Sequence, residues 1–133
     1  MLFRSRIQNM QRVFSLVHIT IAYLYFETGI LLGFVAATQS LSFRIELSSI
    51  GSLFFAGDGS FYNVSITAHG LIIVFGFIMP VTMGGFANFL IPMLLLTPDM
   101  IFPRVNNLSF LLFFLGCVFL VVGVVTEEGV GAG

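Results

Sequence analysis

Three apolar runs constrain this chain more than any other feature: about Val13–Thr38, about Tyr62–Leu96 and about Asn107–Thr126. Each has the roughly 20 mostly apolar residues that a helix needs to cross the ~30 Å hydrocarbon core of a bilayer. Charged side chains are only 8% of the 133 residues and the mean hydropathy is +1.09, whereas a soluble domain carries about a quarter charged residues. The expected fold class is therefore an all-α membrane protein with three transmembrane helices, forming a single membrane segment over residues 1–133. The net charge of −1 and the lack of any basic run leave nothing to bind nucleic acid.

The loops carry the orientation. Arg4, Arg6 and Arg12 precede the first run, and Arg104 lies between the second and third, on the same side. Arg44 is opposite, with Glu46, Asp58, Glu127 and Glu128. The positive-inside rule puts the N-terminus and the loop around Asp99 on the matrix or cytoplasmic side. The opening MLFRSRIQNMQRVF has arginines and no acids, a hint of a targeting peptide. The apolar run behind it is too long for a signal-peptide core, so a true span with a retained Met1 is expected.

Polar residues inside the runs are the candidates for chemistry. A histidine in hydrocarbon is expensive unless it is a ligand, a relay or bonded to a neighbouring helix. His69 lies about seven residues into the second run from the outer side, about 10 Å deep, and His18 about five residues into the first from the inner side. In a core about 30 Å thick these depths are well separated, which disfavours the pair as opposite ligands of one upright haem. Pro80, Gly84, Gly85 and Pro92 mark the second run. Proline kinks a helix and paired glycines admit a neighbouring backbone or a flat ligand, so both packing and cofactor approach stay open there. Cys117 reads as a small packing residue.

The sequence around His69 narrows these choices. T-A-H-G is followed by M-P-x-x-x-G-G-F-x-N-x-x-x-P and by P-D-M-x-F-P-R-x-N-N-x-S-F, from Thr67 to Phe110. This signature resembles the haem-copper oxidases, specifically subunit I of cytochrome c oxidase. The resemblance covers nearly the whole chain but only the first quarter of that family's dozen-helix bundle. It implies that His69 is an axial ligand of the low-spin haem a and that Arg44 meets the formyl group of that haem. It implies further that Glu46 and Gly51 help hold a calcium or sodium ion near the outer surface. Asp99 would stand at the mouth of the D proton pathway, with Asn88, Asn106 and Asn107 as amides along its lower part. Without the family, Arg44 reads as an interfacial helix-end arginine and Asp99 as a helix cap or turn residue.

There are departures. Where relatives carry N-H-K-D-I-G, this chain has Val17-His18-Ile19-Thr20-Ile21-Ala22, and the family's G-N is Ala87-Asn88. His18 is accordingly expected to be structural. The resemblance places the second low-spin haem ligand, the copper histidines and the high-spin haem ligand on helices outside this sequence. The expectation is thus an incomplete subunit I, one piece of a split subunit completed by a companion chain, inactive alone. Within the complex it would serve proton-pumping oxygen reduction in the mitochondrial inner membrane, with cytochrome c as electron donor. Two other readings remain: the same role in a quinol oxidase, and a non-catalytic membrane subunit derived from the oxidase fold.

Overall fold

The structure, a computed structural model, describes residues 2–50, 54–97 and 100–126, with side chains from residue 18 onward. Three long helices make up nearly all of it: α1 (Leu2–Glu46), α2 (Gly59–Leu94) and α3 (Pro103–Val125). All three are long and apolar enough to cross a membrane.

The helix ends differ from the apolar runs in instructive ways. The α1 helix continues through Arg44 to Glu46, since a basic side chain in a last turn meets the negative end of the helix dipole. Asp58 caps α2, its Oδ1 accepting from the backbone N–H groups of Ser60 and Phe61 at 2.9 and 3.1 Å. The turn before it runs through Ala56 and Gly57, both at positive φ. Pro103 opens α3 four residues before the apolar run, because its fixed φ suits a first helical position where no N–H is needed. Asn106, which precedes the third apolar run in the sequence, and Asn107, which opens it, therefore both lie in the first turns of α3.

Midway through the membrane α2 widens. It is α-helical over Gly59–Leu71, π-helical over Ile72–Ile78 and Pro80–Phe86, and α-helical again over Ala87–Leu94. The N–H groups of Met79 and Ala87 accordingly reach back five residues, to the carbonyls of Val74 and Thr82. Two local causes are visible. Pro80 offers no N–H to the ladder, and the Thr82 hydroxyl bonds the Ile78 carbonyl at 2.7 Å, a contact that loosens helices.

The widened stretch is the surface on which α1 packs. Rings of α1 fill the places where α2 lacks side chains: Tyr25 lies over Gly84, and Phe26 over Gly85, where a Cβ would fall 2.6 Å from the Phe26 ring. The exchange is mutual, for Val81 and Phe77 of α2 occupy the corresponding places at Gly29 and Gly33 of α1. Without a hydrophobic drive between helices in lipid, such close approach at small residues is a main source of association. These contacts bury Ala22, Tyr25 and Ala36 of α1 with Val64, Ala68 and Ile72 of α2. The third helix joins this pair at its inner end through Tyr25, whose ring meets Phe110 edge-on at 5.1 Å and Phe113 at 5.6 Å. No residue of α3 is buried.

Candidate functional sites at the two ends of the bundle

One site, at the end of the bundle that the arginine distribution would put outside (the outer end), centres on His69. Its ring lies against α1, with Nδ1 2.9 Å from the carbonyl oxygen of Ala36. A carbonyl only accepts, so Nδ1 carries the proton and donates it, and Nε2 of the neutral ring keeps the lone pair. The ring is further held by Phe43, whose edge approaches it at a centroid distance of 5.3 Å. Histidine fixed by one nitrogen and offering the other is the arrangement that metal-binding imidazoles adopt. His69 is half-buried.

Arg44 follows Phe43 in the last turn of α1 and is exposed. It belongs to the same end of the bundle as His69. His18 is buried on the same helix, but eighteen residues before Ala36, about 27 Å away along the axis. The two histidines are thus held far apart.

Near the outer surface the Oε2 of Glu46 accepts the backbone N–H of Phe55 at 3.0 Å, which ties the loop to the end of α1. Glu46 and Asp58 line one shallow pocket together with Ser49, Gly57 and Tyr62. Gly51 lies outside the described residues. Among the described residues no group of three or more His, Cys, Asp or Glu side chains comes together.

The inner site is a polar end of a mostly apolar cavity of about 740 Å³ between the three helices. Asn88 is buried and its Nδ2 donates to the Gly84 carbonyl at 2.6 Å. Asn106 reaches the same cavity from α3. Asn107 is exposed and is not among the lining residues. Asp99 lies outside the described residues.

Two residues to which the sequence analysis gave no role complete this end. The Ser109 hydroxyl donates to the Asn106 carbonyl at 2.6 Å and sits 2.9 Å from the Tyr25 hydroxyl. Ser109 has one proton, so Tyr25 is the donor in that pair, and the chain runs Tyr25 to Ser109 to Asn106. A tyrosine 84 positions from its serine partner leaves no local trace in the sequence. The one signal available was that both are hydroxyl residues inside apolar runs.

The glycines of α2 resolve one open question from the sequence. Gly84 and Gly85 are filled by Tyr25 and Phe26, so they are packing positions for α1 and leave no room there for a flat ligand.

Taken together, the fold and the two sites define a helical multi-pass membrane protein with one poised imidazole and a polar-ended intramembrane cavity. Residues 20–133 match the family described as cytochrome c and quinol oxidase polypeptide I, and the chain belongs to that family. It is 51% identical over 119 residues to cytochrome c oxidase subunit 1 of Leishmania tarentolae, covering 90% of this chain and 22% of that protein. Cytochrome c oxidase subunit 1 of Strigomonas oncopelti is 50% identical, with 90% and 35% covered. The corresponding protein of Yarrowia lipolytica is 38% identical over 126 residues, with 94% and 24% covered. The chain thus spans about a fifth to a third of the length of the curated relatives it matches.

Proposed function

We propose that this chain supplies the first three helices of a cytochrome c oxidase subunit I, and that it contributes His69 to the low-spin haem a and a water-bearing proton route at its inner end. The observation that carries this reading is the Nδ1–H bond from His69 to the Ala36 carbonyl. It leaves Nε2 as the free base, the form that binds iron.

The donor set fits the group. His69 would hold the iron from one side, and Arg44 would meet the polar edge of the macrocycle at the outer end. A haem held partly by His69 would supply one-electron transfer. The part played by this chain is positional. Ala36 fixes the tautomer of His69, and Phe43 limits the rotation of its ring. The other face of the site, the copper centre and the high-spin haem are assigned to helices beyond this sequence, which a separate companion chain would carry.

At the inner end the hydroxyl chain finishes on the Asn106 carbonyl, which accepts a hydrogen bond but cannot pass a proton onward. Tyr25, Ser109, Asn88 and Asn106 therefore serve to orient water in the cavity, and the water moves the proton. Asp99, which precedes α3 in the sequence, is the proposed collector of protons. In this reading the N-terminus faces the matrix side of the mitochondrial inner membrane, which the arginine distribution favours. Glu46 is the proposed contribution to an outer calcium or sodium site, which would need several further oxygens from elsewhere.

The test is to isolate the native membrane complex through this chain, record its optical spectrum and identify every polypeptide by mass spectrometry. The reading expects a low-spin haem a signal and sequence that bears the remaining haem and copper histidines. A complex without haem would turn the assignment toward a non-catalytic subunit.

A further inference from the structure

Glu27 is an acid in the middle of a transmembrane helix, and neither site uses it. It lies fourteen residues from the start and eleven from the end of the apolar run Val13–Thr38. At the helical rise this is about 16 Å or more from either boundary, deep within the hydrocarbon core. Its side chain is exposed. Two residues separate it from Tyr25, about 200° around the helix, and Tyr25 faces α2 and α3. Glu27 therefore points away from the rest of the bundle.

Among the residues whose side chains are described, neither Arg44 nor Arg104 reaches it. Arg12 and Arg44 stand 15 and 17 residues away on the same helix, about 22 and 25 Å along the axis. Arg104 begins α3, on the side of Tyr25. The same outward stripe carries Tyr23, 68% exposed and one turn before Glu27, with its phenol also turned from the bundle, and continues through Leu31 and Phe34. A carboxylate at this depth is retained only against a partner, and a donor such as a phenol beside it points to polar company at that level.

We propose that this stripe of α1 is the docking surface for a transmembrane helix of a neighbouring subunit, which presents an arginine or lysine to Glu27 and apolar side chains to Leu31 and Phe34. The complementarity of charge selects a basic partner. The direction of the stripe selects a different subunit, because the helices that complete subunit I must close on His69 and on the inner cavity. The inference rests on the proposed reading, in which further helices of subunit I close on His69 and on the inner cavity.

A photo-crosslinking residue at Leu31, one turn beyond Glu27, tests it in the intact complex. The expected product joins this chain to one other subunit, at a helix bearing Arg or Lys within about one turn of the crosslink. Glu27→Leu should lower recovery of that subunit in detergent by about tenfold, equivalent to about 1.4 kcal/mol, and exchanging the charges between the two helices should restore it. Crosslinks to lipid alone would mean a neutral carboxyl facing the bilayer, and crosslinks to the remainder of subunit I would mean an internal contact. Either result overturns the proposal, as does full retention of the subunit in Glu27→Leu. The low-spin haem spectrum, read in the same preparations, reports separately on His69 and should not change with Glu27.

Discussion

The ring of Tyr25 occupies the space above Gly84 that a Cβ would need, and from that position its hydroxyl reaches Ser109 on the third helix at 2.9 Å. One contact between two residues thus sets the spacing of α1 and α2 and brings α3 to the inner cavity. Gly84→Ala should push the ring outward. Overpacking of this kind costs about 1–3 kcal/mol, and the complex should show a lower melting temperature and reduced assembly on native gels. A variant that assembles with unchanged stability would remove the close approach from the account.

Tyr25→Phe separates the two roles of the residue. The ring still packs on Gly84, and the loss of one interhelical hydrogen bond is worth about 0.6 kcal/mol in a membrane, so stability should barely move. Proton uptake, followed with a pH indicator during turnover, should slow because Ser109 loses its donor. Stability that falls as far as in Gly84→Ala would make the hydroxyl a structural element.

Asp99→Asn should slow proton uptake more than Tyr25→Phe does. The expected loss is on the order of tenfold, below the range typical of a positioned acid–base group because water still enters the cavity. Haem content should stay near normal. Loss of the low-spin haem in that variant would assign the residue a structural role.

The cap of α2 gives a prediction free of any cofactor. Asp58 satisfies two backbone N–H groups at the outer end of the helix, and Asp58→Ala should cost about 1 kcal/mol. Asp58→Asn keeps an accepting side-chain oxygen and should recover most of the difference in thermal melts.

These cases also show what the sequence could reveal. Hydrophobic length is a local property, so the three spans were legible from composition alone. The extension of α1 through Arg44 was not, because a charged helix end looks like a loop in hydropathy. The π-helical widening follows from a proline and a threonine two positions apart, and no hydrophobic periodicity encodes it. His69 stood out as a polar residue in hydrocarbon, but its partner is a backbone carbonyl 33 positions earlier, and carbonyls carry no sequence signal. Asn88 and Asn106 were legible only through family resemblance; Ser109 stood in the same motif without a role, and its link to Tyr25 required the fold. The acid at Glu27 can be read from the sequence, whereas its outward direction cannot.

The central claim is that His69 offers Nε2 to the iron of a low-spin haem. Its most direct test is the reduced-minus-oxidised absorbance spectrum of the native complex carrying His69→Ala, with His69→Met beside it. The account predicts that the low-spin haem band disappears in the alanine variant. In the methionine variant it predicts a band that shifts, with a raised potential, as a thioether replaces one imidazole. An assembled His69→Ala complex with an unchanged low-spin band would contradict it.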